Sequence, residues 1–146
     1  MTSAADFNST VIDEFRANAG KVGGMFAGMD MALITTTGAK TGTVRTTPLS
    51  HLADGDRIVV IASNGGADTN PAWFHNVKAN PAVTVEVGAE TFEATAEPLE
   101  SGPERDALFA RFADNFARLT AGTTGFPDHG TTTRVIPVVV LHRVSA

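Results

Sequence analysis

The sequence contains no cysteine and no tyrosine. Without cysteine, the chain forms no disulfide and no thiolate metal site, and it has no thiol nucleophile. Without tyrosine, no phenolic hydroxyl acts as a proton donor, and the aromatic residues are nine Phe and a single Trp. Covalent cysteine catalysis and redox chemistry on protein thiols are therefore excluded.

Basic residues are also scarce. The chain has 11 Lys and Arg against 16 Asp and Glu, a formal net charge of −5, so a broad basic face for nucleic acid is not expected. No apolar run approaches the roughly 20 residues that span a bilayer, and the first ten residues lack the pattern of a secretory signal. At 146 residues, the chain is expected to form one cytoplasmic domain, residues 1–146.

Short apolar segments joined by tight turns dominate the chain. Helical spacing of apolar residues predicts a helix at the amino terminus and one after Ser101, and Asn-Pro start and stop signals predict a short helix after Pro71. Because turns rather than long helices join most strands, the pattern favours an antiparallel α+β domain, a closed or partly closed barrel with flanking helices. Six strands are predicted, at residues 31–37, 44–52, 57–62, 83–87, 91–96 and 135–144.

Capping signals mark the ends of the two later helices. Asn70 is predicted as an N-cap with Pro71 at the first helical position, where its missing N–H costs nothing. Asn80 precedes a proline and should end that helix, because a residue before proline avoids the α region. Ser101 and Glu104 have the spacing of a capping box, which predicts Ser101 as the N-cap of the last helix.

Residues 35–47, TTTGAKTGTVRTT, are a local exception to the acidic composition. They contain seven threonines, Lys40 and Arg45, and no acidic residue occurs between Asp30 and Asp54. The glycine spacing of a phosphate-binding P-loop is absent. A glycine turn flanked by two cations is typical of a generic anion site, and a solvated hairpin with two surface cations has the same pattern.

Two further features indicate a site near the middle of the chain. Residues 63–66, SNGG, follow a predicted buried strand, so their N–H groups either hold a second anionic group or only make a tight connection. Trp73 is either a core anchor or an aromatic wall for a planar ring. The four histidines show no metal-ligand spacing, so no metal is expected.

Residues 1–24 are predicted as an amino-terminal helix followed by a glycine turn. Phe7, Val11 and Phe15 have the spacing of one apolar helix face. This helix either packs on the barrel or covers the substrate as a lid. Because it has no basic face, the pattern allows at most a peripheral contact with the inner face of the membrane.

The order of the motifs resembles the deazaflavin-dependent nitroreductase family of actinobacteria. The resemblance extends from about residue 12 to residue 142 and rests on TTTGAKTGTVRTTPL, ASNGG and NPAWFHN in that order. It implies a split β-barrel like that of flavin mononucleotide-binding oxidoreductases. It also implies binding of coenzyme F420, an 8-hydroxy-5-deazaflavin that carries a phosphodiester and a glutamate tail.

The family's cofactor contacts carry over to four segments of this sequence. In that view, Lys40 and Arg45 meet the phosphate and the tail carboxylates, and Ser63 faces the polar edge of the ring. The implied cofactor-binding residues are Ala39, Lys40, Thr41, Arg45, Thr46, Thr47, Pro48, Leu49, Ser50, Ile61, Ala62, Ser63, Asn64, Ala72, Trp73, Phe74, His75 and Asn76.

The resemblance further implies hydride transfer from the reduced deazaflavin to an electrophilic acceptor. A quinone is the first expectation, and nitroaromatics and activated enones follow. The protein then orients the cofactor and excludes water, and Ser63 or solvent is the candidate proton donor. Two alternatives stay open: a flavin mononucleotide-dependent reductase on the same barrel, and a non-catalytic binder of a planar anionic cofactor.

The sequence departs from the family in its missing tyrosines. Where the family has pocket-lining tyrosines, this chain has Gly125 or Phe126 in the late loop and Ser50 in the second strand. The substrate pocket is therefore predicted at Met25, Phe26 and Phe126, and activation of bulky nitroimidazole prodrugs is not expected. The chain is expected to be a monomer or a homodimer.

Overall fold

A curled, seven-stranded antiparallel sheet with three helices forms the described part of the chain. The computed structural model describes residues 4–20, 30–55, 57–62, 69–119 and 135–144, and for residues 4–8 and 116–119 it describes the backbone alone. The strand order is β2-β1-β5-β6-β7-β4-β3, with neighbouring strands antiparallel, which confirms the predicted α+β architecture. The elements are α1 (Ala4–Ala17), β1 (Met31–Thr37), β2 (Val44–Ser50), β3 (Leu52–Asp54), β4 (Arg57–Ile61), α2 (Ala72–Ala79), β5 (Ala82–Val87), β6 (Glu90–Leu99), α3 (Pro103–Leu119) and β7 (Val138–Arg143).

The sheet curls because its two edge strands are consecutive in the chain. β2 and β3 lie at opposite ends of the strand order, and His51 alone separates them. Ser50 pairs with β1, whereas Leu52 pairs with β4. The prediction of one strand over residues 44–52 is therefore wrong: the chain bends at His51, whose N–H donates to the carbonyl oxygen of Asp30 at 2.9 Å. This bend turns six predicted strands into seven.

Three apolar clusters hold the helices on the sheet. Alternate strand residues such as Ile34 face the interior of the curl, where they pack with Phe74 of α2. On the outer surface, Phe112 of α3 packs against β4 and β7. Phe15 of α1 packs against β1 at a third position. The interior cluster therefore fixes α2 against the inner face of the sheet, where the helix contacts β1 and β6.

The start of α2 differs from the prediction by one residue. Pro71 is the N-cap, with φ −70° and ψ 159°, and no side chain caps the helix. Because this extended ψ keeps Pro71 out of the helix, the first helical residue is Ala72, and Asn70 is not the N-cap. The predicted end is confirmed, since Asn80 is the C-cap with an extended backbone.

The start of α3 also differs from the prediction. Gly102 has a φ of +107°, which lies outside the helical region. The helix therefore begins at Pro103, where a missing N–H is tolerated. Ser101 is consequently not the N-cap, and the predicted capping box does not describe this helix start.

α1 is tied to the sheet at its carboxyl end. Phe15 is buried, and Arg16 donates two hydrogen bonds to the carboxylate of Glu86, at 3.1 and 2.9 Å. A Cβ at Gly20, whose φ is +92°, would lie 2.6 Å from the Cα of Gly88. The predicted packing of this helix on the barrel is confirmed along the described face. Among the helices that the structure describes, none has the length and hydrophobicity that a membrane crossing requires.

Candidate functional site

An open cleft of about 760 Å³ lies between the β1–β2 turn and the first turns of α2. It lies where the interior cluster brings α2 over the end of β1. Nine described residues line it: Gly38, Ala39, Lys40, Thr41, Thr43, Arg45, Ala72, His75 and Asn76. Seven of these were predicted as cofactor contacts, and they come from three of the four predicted segments: the turn, the second strand and the short helix.

The wall formed by the β1–β2 turn is shaped by its own hydrogen bonds. The N–H of Gly38 donates to the carbonyl oxygen of Thr43 at 2.8 Å, and the N–H of Gly42 donates to Gly38 at 3.1 Å. Gly42 has a φ of +71°, a conformation that glycine adopts without a steric cost. The hydroxyl of Thr41 donates to that of Thr43 at 2.9 Å. These contacts hold the turn that carries Lys40 in one shape.

Asn76 of α2 joins this turn to the helix. Its Oδ1 accepts a hydrogen bond from the N–H of Ala39 at 3.1 Å, and its Nδ2 donates to the hydroxyl of Thr36 at 3.3 Å. Both Asn76 and Thr36 are buried. One turn later on the helix, Nδ2 of Asn80 donates to the carbonyl oxygen of Thr37 at 3.4 Å. Sequence reasoning missed Thr36 and Asn80, and found Asn76 only as a cofactor contact.

Lys40 and Arg45 are exposed cations in the lining of this cleft. Neither has a carboxylate partner within the described part of the chain. In contrast, every other described Lys and Arg side chain does: Arg16, Arg57, Lys78, Arg105, Arg111 and Arg143. In a chain of net charge −5, two neighbouring cations without carboxylates create a local positive potential that attracts an anion.

The predicted residues of β2 divide between the two faces of the sheet. Leu49 packs against the interior cluster, and strand alternation places Arg45 and Thr47 on that same face, toward α2. The other three predicted residues of the strand alternate to the opposite face, and they are Thr46, Pro48 and Ser50. The fold therefore brings only half of the predicted β2 side chains to the α2 side.

The aromatic residues of α2 belong to the core. Trp73 is 7% exposed and Phe74 is fully buried, and their rings meet edge to face at a centroid distance of 6.5 Å. The interpretation of Trp73 as a core anchor is thus confirmed. Ile61 and Ala62 are buried as well, at the end of β4. These four residues form the support behind the cleft and do not line it.

Five predicted site residues lie outside the described residues. They are Met25, Phe26, Ser63, Asn64 and Phe126. The proposed proton donor and the proposed substrate pocket accordingly stay predictions. The described chain reaches Ala62, immediately before Ser63, where the N–H of Ala62 donates to the carbonyl oxygen of Pro137 at 3.0 Å.

His51, at the bend between β2 and β3, is a buried polar residue that the sequence did not single out. It is 8% exposed, and its Nδ1 has no hydrogen-bond partner. Burial lowers the pKa of His51 below its ordinary value, against the opposing influence of Asp30. In the part of the chain that the structure describes, no group of three His, Asp or Glu residues is placed to hold a metal ion.

Comparisons with known proteins identify the family of this chain. A family model described as F420H(2)-dependent quinone reductase matches residues 8–143. A Mycobacterium tuberculosis protein named F420H(2)-dependent quinone reductase is 39% identical over 131 residues, which cover 88% of this chain and 85% of the relative.

Two solved structures are similar over most of the chain. One, an F420-H2 dependent reductase (FDR-A), is 32% identical with a TM-score of 0.63, and the match covers 77% of this chain and 94% of the other. The second, described as a domain-swapped dimer, is 30% identical with a TM-score of 0.65, covering 92% and 93%. The resemblance to deazaflavin-dependent reductases and the split-barrel fold are thereby confirmed. The chain belongs to the F420H(2)-dependent quinone reductase family.

Proposed function

We propose that the protein binds coenzyme F420 in the cleft between the β1–β2 turn and α2 and uses the reduced cofactor to reduce a quinone. The family to which the chain belongs supports both the cofactor and the acceptor class. The observation that carries the placement is the pair of cations, Lys40 and Arg45, that face this cleft without carboxylate partners among the described residues.

The cleft fits the charged tail of such a cofactor. In this proposal, Arg45 forms two parallel hydrogen bonds with a phosphate or carboxylate, and Lys40 contributes a point charge. Between the two cations, Gly42 has no side chain, so the backbone of the turn can approach a ligand closely. Asn76 contributes to ligand binding without touching the ligand, because its hydrogen bond holds Ala39, the residue next to Lys40, in place.

The ring end of the cofactor is proposed to lie toward the end of β4. When bound, reduced F420 supplies the hydride that the acceptor takes up. Trp73 and Phe74 form the rigid apolar support on that side, and Ala62 comes directly before Ser63, which is proposed to face the ring. Thr47 and Leu49 face the same side from β2. These residues orient the ring and exclude water from it.

A proton must also reach the reduced acceptor. The chain has no tyrosine to donate it. Ser63 or solvent is the proposed donor, and residues Met25, Phe26 and Phe126 are the proposed acceptor pocket. A Ser63→Ala variant with reduced turnover and unchanged F420 affinity supports Ser63, and unchanged turnover assigns the proton to solvent.

The assembly and location of the protein stay proposals as well. A homodimer is supported by the similar structure described as a domain-swapped dimer, and a monomer is the alternative. Light scattering of the pure protein distinguishes the two. A peripheral contact of the amino-terminal helix with membrane is tested by cosedimentation with anionic lipid vesicles, and we expect the protein to sit in the cytoplasm otherwise.

The experiment is a fluorescence titration of the protein with F420 and flavin mononucleotide side by side. We expect tighter binding of F420. Lys40→Ala and Arg45→Ala should each weaken it by about tenfold, because a charge-assisted contact contributes about 1.5 kcal/mol or more. Lys78→Ala and Arg143→Ala are matched controls, since these cations are paired with Glu100 and Glu90 on the surface.

Three results bear on the proposal. Tighter binding of flavin mononucleotide overturns the cofactor assignment. Normal F420 binding by both Lys40→Ala and Arg45→Ala overturns the placement of the tail. F420 binding without any reductase activity supports a non-catalytic binder instead of an enzyme.

A further inference from the structure

A single arginine of α3 holds the segment that enters β7. Nε and Nη2 of Arg105 both donate to the carbonyl oxygen of Ile136, at 2.9 and 2.8 Å. The side chain of Arg105 is only 12% exposed, and its guanidinium carbon lies 4.4 Å from the centre of the Phe109 ring. Two charge-assisted donors on one acceptor are among the stronger hydrogen bonds in proteins, so Arg105 fixes the position of this carbonyl.

The carbonyl of Ile136 takes Arg105 as its partner because the pairing of β6 with β7 ends before Ile136. The last pair between β6 and β7 is Leu99 with Val138. Pro137 has no N–H and cannot extend the ladder. Its carbonyl oxygen accepts the N–H of Ala62 at 3.0 Å, on the side of β4. Successive carbonyls of an extended segment point in opposite directions. The carbonyl of Ile136 therefore points away from β4, and Arg105 supplies the hydrogen bonds that a neighbouring strand would make there.

Ala62 is the described residue that follows β4, directly before the predicted site residues Ser63 and Asn64. Its amide bond to Pro137 is one residue beyond the last β4–β7 pair, Ile61 with Val138. Ala62 also packs in the interior cluster beside Trp73. Whatever fixes Pro137 therefore also fixes the amide of Ala62.

We propose that Arg105 is a positioning residue for the end of β4: through Ile136 and Pro137, it fixes the amide of Ala62, the residue directly before the predicted site residue Ser63. The importance of this position for catalysis rests on the proposed function, in which Ser63 faces the cofactor ring. Arg105 is not among the residues that line the cleft, so it acts without touching the tail of the cofactor.

Two substitutions separate this role from simple packing. Arg105→Met keeps an unbranched apolar side chain over Phe109 and removes all donors, whereas Arg105→Lys keeps the charge and one donor group. Arg111→Met is the matched control on the same helix, because Arg111 is 51% exposed and pairs with Asp54 at 2.9 Å on the surface.

The first readout is amide hydrogen exchange without any cofactor. We expect the amide of Ala62 to exchange at least tenfold faster in Arg105→Met than in the wild type, and to be intermediate in Arg105→Lys. The amides of Val59 and Val60, in the middle of β4, should stay within twofold. Unchanged exchange at Ala62 overturns the proposal, and so does an equal acceleration in Arg111→Met. Where Arg105→Met does not fold, Arg105→Lys decides by the same comparison.

The second readout separates kcat from binding. We expect Arg105→Met to lower kcat for menadione reduction at least tenfold, with the Kd for F420 changed less than threefold, and Arg105→Lys to recover part of kcat. Faster exchange at Ala62 with unchanged kcat overturns the catalytic importance of this position. A wild-type protein without reductase activity refutes the proposed function instead, and the exchange at Ala62 still decides whether Arg105 fixes the strand end.

Discussion

The two hydrogen bonds of Asn76 make a quantitative prediction about the cleft. Asn76→Ala removes the acceptor of the Ala39 N–H and the donor to the Thr36 hydroxyl. These contacts join α2 to the β1–β2 turn at Ala39 and to the end of β1 at Thr36, across 37 and 40 residues of sequence. No local interaction replaces them, so the turn that carries Lys40 should loosen against the helix.

The size of the effect follows from the burial of the two partners. Each hydrogen bond contributes about 1 kcal/mol net, and a buried group left without a partner costs about 1–3 kcal/mol. Thr36 is 1% exposed, so water cannot reach its hydroxyl to replace the lost hydrogen bond. Ala39 is exposed, so its N–H can form a hydrogen bond with water instead. We therefore expect Asn76→Ala to lower the free energy of unfolding by about 2–3 kcal/mol.

Urea denaturation of the apoprotein measures this loss directly. Asn80→Ala is the matched control, because it removes one longer bond, 3.4 Å to the carbonyl oxygen of Thr37, and should cost less than about 1 kcal/mol. F420 affinity should fall in Asn76→Ala and stay near the wild-type value in Asn80→Ala. A loss below about 0.5 kcal/mol for Asn76→Ala, or equal losses for the two variants, would refute the reasoning.

Two further predictions concern α1 and the bend in the barrel. Phe15→Ala should lower the free energy of unfolding by about 3 kcal/mol or more, because the ring is 2% exposed. Arg16→Ala should lower it by less than about 1 kcal/mol, because Arg16 is half exposed in its pair with Glu86. Denaturant titration of both variants checks that Phe15→Ala is the more destabilising. Since burial lowers the pKa of His51, the unfolded chain binds its proton more tightly, so stability should fall as the pH drops below the ordinary value of 6.5. Thermal melts from pH 7.5 to 5 should show a shallower decline in His51→Asn, and identical slopes would contradict this assignment.

Local sequence patterns predicted most of the strands because those patterns depend on neighbouring residues. The β-branched run at residues 31–37 and the Asp54-Gly55 turn formed where expected. The bend at His51 had no local signal, because it arises when one half of a strand pairs with β1 and the other half with β4. The helix starts at Pro71 and Gly102 were displaced by one residue, since their backbone angles depend on how the chain enters each helix.

The charged part of the candidate site could be predicted from the sequence. Lys40 and Arg45 stood out in an acidic chain, and the structure places both in one cleft. The partners of Asn76 could not be found in the sequence, because Thr36 lies 40 residues away and is brought close only by the packing of α2. The same limit applies to Arg105, whose contact with Ile136 spans 31 residues.

The most direct test of the account is the reoxidation of reduced F420 by menadione under anaerobic conditions, followed by the return of deazaflavin absorbance. The account predicts a rate well above the protein-free control that saturates with menadione. It also predicts that a Lys40→Ala, Arg45→Ala double variant needs much more cofactor to reach that rate, while Lys78→Ala behaves like the wild type. A wild-type rate equal to the protein-free control, or faster turnover with reduced flavin mononucleotide, would contradict it.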